Sequence, residues 1–226
     1  MAAGDNITLN ENVNISGDLR VTGTLSALPT ASLDQTHLTS TTAIPRSKLA
    51  QDNVQGFSIP LHSWRTWDAP TTSLPSAAAN DDLGLVYGTF GTAHDLIQTG
   101  DCKNTTTTRH ARAMATLPYN YQAAETVMIR AYAGMETTVA SSSTTIDFDV
   151  RECTGHGGYS SDICTTSPTS INSLTYGNKD FVITATDLVA GDLLDIKMTI
   201  IVTDSGTGTA VIGSVGKLFL LVDLRG

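Results

Sequence analysis

The stretch "DLLDIKMTIIVTD", residues 192–204, decides the fold of this chain. Apolar residues stand at every second position, and Asp195, Lys197 and Thr199 alternate with them. The apolar set is Leu194, Ile196, Met198, Ile200 and Val202. A period of two places successive side chains on opposite faces of a strand. One face of this strand is therefore buried and the other meets water, which is the pattern of an antiparallel sheet.

The same pattern recurs along the second half of the chain. In "TTIDFDVRE", residues 144–152, three apolar residues alternate with Asp147 and Asp149. Further strands are predicted in "LGLVYGTF" (83–90), "ETVMIRAYAGM" (125–135), "DFVITAT" (180–186) and "KLFLLVDLR" (217–225). About eight short strands separated by turn residues are typical of a jelly-roll-like antiparallel β-sandwich, which we predict for residues 81–226. An immunoglobulin-like sandwich is the alternative, although the cysteine and tryptophan positions do not match its core.

Charge and hydropathy exclude two classes of partner. The chain has 226 residues and a formal net charge of −9. It contains no cluster of lysine and arginine with interleaved aromatic residues, so we expect no direct binding to nucleic acid. No apolar run approaches the roughly 20 residues that span a bilayer. The first residues, "MAAGDN", also lack the pattern of a signal peptide, and we expect no association with a membrane.

A hexad repeat fills residues 7–30, "ITLNENVNISGDLRVTGTLSALPT". The first and third positions of each hexad are apolar, and turn-forming residues occupy the rest. The apolar positions are Ile7, Leu9, Val13, Ile15, Leu19, Val21 and Leu25. Four hexads give little more than one coil in a single chain, too little to bury these side chains. Residues 1–30 are therefore predicted to form an intertwined trimeric β-prism or β-helix stem, with a pair of ordinary hairpins as the alternative.

Residues 31–80 are predicted to be a connector, because they are rich in proline, serine and threonine and show no sustained period. Ser47 can cap a short helix through "SKLAQDN", residues 47–53. Trp64 and Trp67, both tryptophans of the chain, are predicted to anchor the connector on the main domain or on a neighbouring subunit. A stacking platform for a sugar ring is the alternative for this pair.

Two segments resemble proteins of bacteriophage particles. "ISGDLRVTGTL" (15–25), followed by "TAIPRSKLAQDNV" (42–54), is similar to the stem and junction segments of phage fibre, spike and head-decoration proteins. The resemblance covers residues 7–55 and implies a homotrimer on the virion surface, made in the host cytoplasm. It further implies attachment to the major capsid protein or another virion protein. We expect a non-enzymatic protein that decorates and braces the capsid exterior.

A recognition function is the alternative to a structural one. A tail-fibre protein would bind a receptor or a host-surface glycan through the tryptophans or through the loops "DCKNTTTTRH" (101–110) and "TGHGGYSSDI" (154–163). A hydrolase of surface polysaccharide would need two carboxylates in a groove. The acidic pairs Asp81/Asp82 and Asp147/Asp149 do not make a persuasive catalytic set.

No catalytic residue, metal site or cofactor is predicted. The chain has no G-x-S-x-G elbow, and its histidines lack the spacing that places two ligands on one metal. Those histidines are His37, His62, His94, His110 and His156. Each cysteine is read as a small buried apolar residue. Cys153 and Cys164 bracket a glycine- and serine-rich loop, and a disulfide between them in an oxidising compartment is the alternative. Cys102 is then the odd thiol.

Replacing Leu19 with Asp tests the predicted stem. Three carboxylates would meet at the trimer axis without partners, so we expect the variant to be monomeric while the sandwich stays folded. Light scattering gives the mass, and circular dichroism reports the fold. A variant that remains trimeric would contradict the axial position of Leu19.

Overall fold

The computed structural model describes residues 54–206 and 208–224. These residues form eleven β-strands and a short 3-10 turn at Leu61–Ser63. The strands are β1 (Val54–Ser58), β2 (Gly84–Val86), β3 (Leu96–Gln98), β4 (Thr106–Thr116), β5 (Val127–Met135), β6 (Ser143–Thr154), β7 (Gly158–Tyr159), β8 (Thr169–Ser170), β9 (Gly177–Ile183), β10 (Leu193–Thr203) and β11 (Gly213–Asp223). Within the same ranges, no helix is long and apolar enough to cross a membrane.

The strands build two antiparallel sheets. In the described residues the first sheet has the order β2-β3-β11-β5-β9, with β1 also paired to β11. The second sheet has the order β4-β10-β6-β7, with β8 paired to β6. The long strands alternate between the sheets along the chain, as in a jelly roll. The predicted all-β antiparallel sandwich is confirmed for this part of the chain, whereas the predicted stem lies outside it.

The hydrophobic core fills the space between the sheets. In β10 the predicted apolar set is buried from Leu194 to Val202. The ring of Phe148 on β6 lies edge-on to that of Phe181 on β9, with 4.8 Å between the ring centroids. Trp64 is fully buried, and its ring centroid lies 6.5 Å from that of Phe148. Aromatic rings from both sheets and from the segment before β2 thus share one core.

The sequence predicts that the sandwich begins at residue 81, but in the structure it already includes β1, Val54–Ser58. β1 pairs with β11 in the register Val54↔Asp223 to Ser58↔Phe219. Arg65 forms a bridge with Arg112 on β4. Residues 54–80 are therefore an integral part of the sandwich, because the segment supplies an edge strand and a core tryptophan. The predicted helix over residues 47–53 lies outside the described residues.

One long strand escapes the sequence prediction. The segment from Thr106 to Thr116 is β4, although its threonines favour a loop apex in the sequence. Its inward positions include Ala111 and Ala113, which are fully or almost fully buried. Alanine and threonine give a weak hydrophobic alternation, so the period of two is hard to see. The pairing of β4 with β10 over Leu193↔Thr116 to Thr203↔Thr106 defines this strand instead.

Trp64 and Trp67 offer a matched test of the core. Trp64→Ala removes a fully buried ring, and we expect it to lower the free energy of unfolding by about 3–5 kcal/mol. Trp67→Ala removes a partly exposed ring with one hydrogen bond, and a loss of about 1 kcal/mol is expected. Urea denaturation measures both values. Equal losses for the two variants would contradict the placement of Trp64 in the core.

Candidate functional site

The outer face of the second sheet carries a set of charged side chains on its three long strands. β10 lies in the middle, with β4 on one side and β6 on the other. Lys197 on β10 is opposite Arg112 on β4 and Asp149 on β6. Asp195 lies two positions earlier on β10 and is opposite Arg151. The polar side chains of β10 therefore lie beside those of β4 and β6 on one surface.

Arg112 and Asp195 form the most enclosed ion pair of this face. Arg112 Nε donates to Asp195 Oδ1 at 2.7 Å, and Arg112 Nη2 donates to Oδ2 of the same carboxylate. The Asp195 side chain is only 10% exposed. Hydrogen bonding to Asp195 raises the pKa of the Arg112 guanidinium. The two-pronged contact fixes the planes of both groups and compensates a carboxylate that water barely reaches.

Asp149 holds the remaining two cations. Arg151 donates to it through Nε at 3.0 Å and through Nη2 at 3.2 Å, and Lys197 Nζ lies 3.3 Å from Oδ2. Burial acts to raise the pKa of Asp149, but the hydrogen bonds from Arg151 and the charge of Lys197 outweigh it, and the pKa is lowered. Asp149 is consequently ionised at neutral pH. Its neighbour Asp147 has a raised pKa, mainly because of burial.

An aromatic side chain flanks the charged face on the β4 side. Arg65 and Arg112 exchange two backbone hydrogen bonds, of 2.8 and 3.0 Å, which fix the segment that carries Trp67. Trp67 Nε1 donates to Asp81 Oδ2 at 2.9 Å. The Trp67 ring centroid lies 5.2 Å from that of His110, whose pKa is lowered mainly by burial. His110 is thus a neutral ring at pH 7, and it packs against the indole with 58° between the two ring planes.

A second aromatic side chain comes from β7, at the other edge of the second sheet. Tyr159 lies on β7, which pairs with β6 across a hairpin whose tip includes His156 and Gly157 at φ 64° and 82°. Arg112 Nη2 donates to Tyr159 Oη at 3.1 Å. Tyr159 keeps 49% of its surface exposed. The hairpin formed by β6 and β7 therefore brings a half-exposed phenol ring to the Arg112 side chain of the charged face.

The charged face carries a depression of about 250 Å³. It is lined by Trp67, Arg112, Asp149, Arg151, Asp195 and Lys197. Both carboxylates already accept hydrogen bonds from arginine, Asp195 from Arg112 and Asp149 from Arg151. Among residues 54–206 and 208–224, no group of three His, Cys, Asp or Glu side chains is arranged to hold a metal ion. The surface is suited to binding through fixed hydrogen-bond donors and acceptors.

The structure separates the two predicted anchor residues. Trp64 is inside the sandwich of its own chain, where it has no surface to offer to a sugar or to a neighbouring subunit. Trp67 lies at the charged depression. The predicted axial residues Ile7 to Leu25 lie outside the described residues. Cys153 and Cys164 are partly buried free thiols, so the alternative of a disulfide between them is not formed in this structure, and Cys102 is buried.

Sequence reasoning missed Arg112 and Arg151. Arg112 is on the unrecognised strand β4, and Arg151 is at the end of a recognised one. A signal was present, since Asp195 and Lys197 are charged residues on the strand with the strongest apolar alternation. A carboxylate at such a position needs a cation on the adjacent strand.

Comparisons with known proteins give structural likeness only. No protein-family profile matches the chain, and no curated protein sequence does. The CBM22-1 xylan-binding domain of Paenibacillus barcinonensis Xyn10C superposes with a TM-score of 0.41 and 13% identity, over 78% of this chain and 100% of that one. A xylan-binding module CBM15 gives 0.41 and 9%, over 76% and 99%. The C-terminal family 22 carbohydrate-binding module of Clostridium thermocellum Xyn10B gives 0.39 and 11%, over 76% and 97%. Similarity this low does not assign a family or a ligand.

The ion pair between Arg112 and Asp195 can be tested by a mutant cycle. Arg112→Met leaves a buried carboxylate without its cation, and we expect a loss of about 3–5 kcal/mol in the free energy of unfolding. The double variant Arg112→Met, Asp195→Leu should recover most of that loss, because no charge is left unpaired. Urea denaturation gives the energies. A double variant that is no more stable than the single one would contradict the compensating role of Arg112.

Proposed function

We propose that this protein binds carbohydrate on the outer face of its second sheet and performs no chemistry on it. The observation that carries the proposal is the depression lined by Trp67 and by the charged network of Arg112, Asp195, Asp149 and Lys197, with Tyr159 hydrogen-bonded to Arg112. Sugar rings combine an apolar C–H face with a rim of hydroxyl groups. A binding surface for them needs an aromatic ring for the first and rigid polar groups for the second.

The polar groups of the site are fixed before a ligand arrives. Asp195 and Arg112 restrain each other through two hydrogen bonds, and Asp149 is restrained by Arg151 and Lys197. Binding then costs little side-chain entropy. Trp67 is similarly held by its hydrogen bond to Asp81 and by the His110 ring. Preorganisation of this kind supports a recognition surface better than a purely structural face, for which mobile surface charges would suffice.

The N-terminal repeat supplies the setting for this proposal. The resemblance of residues 7–55 to phage stem segments supports a homotrimeric protein on the outside of a virion, where it decorates the capsid exterior or, as the alternative, belongs to a tail fibre. Three heads on one stem would raise the avidity for a repetitive glycan by about 10²–10⁴ without any new contact. Surface polysaccharide of a host cell is such a repetitive ligand. On this proposal the decoration and recognition functions belong to different segments of one chain.

Loss of Trp67 tests the glycan site. The wild-type protein should bind one or more polysaccharides in a panel of bacterial and plant glycans, measured by affinity electrophoresis and calorimetry. Trp67→Ala should weaken that binding by about 10- to 100-fold, because the one aromatic ring that lines the depression is removed. Tyr119→Ala, which removes an aromatic ring that is 89% exposed and absent from the depression, is the control and should bind normally.

Two outcomes would contradict the proposal. Either the wild-type protein binds none of the polysaccharides, or Trp67→Ala binds as tightly as Tyr119→Ala. The same incubations, assayed for new reducing ends, test the absence of hydrolysis. A rise in reducing ends with the wild-type protein would overturn the non-catalytic part alone.

A further inference from the structure

The depression of the proposed glycan site is lined by more cations than carboxylates. Its cations are Arg112, Arg151 and Lys197, and its carboxylates are Asp149 and Asp195. Three positive charges therefore face two negative ones, on a chain whose formal net charge is −9. A local excess of cations attracts an anion to this place on a surface that is acidic as a whole.

The pair of Arg112 and Asp195 does not supply this excess. Its side chains are only 23% and 10% exposed, and the two charges neutralise each other within the surface. The excess lies in the remaining three side chains, which are Arg151, Lys197 and Asp149. These belong to the two neighbouring strands β6 and β10.

Arg151 and Lys197 share the single carboxylate of Asp149. Arg151 donates to both of its oxygens, and Lys197 Nζ lies 3.3 Å from Oδ2. The side chains of Arg151 and Lys197 are 46% and 35% exposed, whereas that of Asp149 is 23% exposed. A molecule that approaches from solvent therefore meets the two cations more than the carboxylate between them.

Both cations keep donors that a ligand can use. Arg151 binds Asp149 through the Nε and Nη2 edge of its guanidinium, and Nη1 donates to no residue among 54–206 and 208–224. Lys197 has three N–H groups, and Asp149 is its ion-pair partner. An anionic group can thus accept hydrogen bonds from both side chains without displacing Asp149. Such charge-assisted hydrogen bonds are stronger than those between neutral groups.

Two further carboxylates lie near these cations but outside the depression. Asp147 interacts electrostatically with Lys197, and Asp162 interacts with Arg151. Oδ1 of Asp162 already accepts two backbone N–H groups, at 3.0 and 2.9 Å. Neither carboxylate lines the depression. Because Coulomb energy falls with distance and salt screens exposed charges over about 8 Å, an anion in direct contact with Arg151 and Lys197 is governed by those two.

We propose that the carbohydrate bound at this site carries an anionic group, a carboxylate or a sulfate ester, that is held by Lys197 and Arg151 while its sugar ring contacts Trp67. The inference rests on the proposed function and names the class of its ligand. Trp67 lines the same depression of about 250 Å³ as both cations, so one acidic sugar unit can contact all three side chains.

The test measures the binding of matched polysaccharides to the full chain by titration calorimetry. Polygalacturonate and alginate are each compared with their carboxyl-reduced forms, and dextran sulfate is compared with dextran. The wild-type protein should bind the charged member of at least one pair about 10-fold more tightly than the neutral member, because two charge-assisted hydrogen bonds are lost with the anionic group. The pair that shows the difference tells carboxylate from sulfate.

Lysine variants assign the preference to the depression. Lys197→Met should weaken binding of the charged polysaccharide by about 10-fold, and Lys197→Arg, which keeps the charge, should retain most of it. Lys179→Met is the matched control, because it removes the same charge from β9 in the first sheet. It should bind like the wild-type protein. Circular dichroism checks that all three variants are folded.

The proposal is overturned if the charged and neutral members of every pair bind alike. It is equally overturned if Lys179→Met loses as much binding as Lys197→Met, since the charge of the whole surface would then explain the attraction. If only neutral polysaccharides bind, and Trp67→Ala weakens them, this inference fails while the glycan site stands. Failure of every polysaccharide to bind would contradict both.

Discussion

The contact between Arg112 and Asp195 joins the parts of the second sheet on which the candidate site depends. Asp195 lies on β10 between the buried residues Leu194 and Ile196 and is itself buried. Its carboxylate is tolerated there because Arg112 approaches from β4 with two hydrogen bonds. The backbone of Arg112 also pairs with that of Arg65, which fixes the segment that carries Trp67. One arginine thus connects the core strand, the charged face and the aromatic flank.

The two tryptophan side chains lie on opposite sides of their segment because the backbone between them is extended. From Trp64 to Trp67 the side chains are buried, partly exposed, buried and partly exposed in turn. Residues three apart on an extended chain point to opposite sides. Trp64 therefore enters the core while Trp67 meets the charged face. Had this segment been helical, the same spacing would have put both rings on one side.

The alternation of β6 and β10 made the sandwich predictable from sequence, because both strands bury one face only. β4 was not predictable in that way, since alanine fills its inward positions and threonine begins it. The start of the domain was misplaced because β1 is short and mostly exposed, with a partner, β11, at the far end of the sequence. Trp67, Asp81 and Arg112 form the site through contacts between distant residues. Periodicity describes neighbours along one strand and carries no information about such contacts.

The position of β11 affects how the domain is made. This last strand lies inside the first sheet, between β5 on one side and β1 and β3 on the other. During synthesis, every other strand of that sheet leaves the ribosome before the strand that joins them. The sandwich can therefore close only after β11 has left the ribosome, and a chain truncated before Gly213 retains open strand edges. Such a truncated product is a substrate for aggregation or proteolysis.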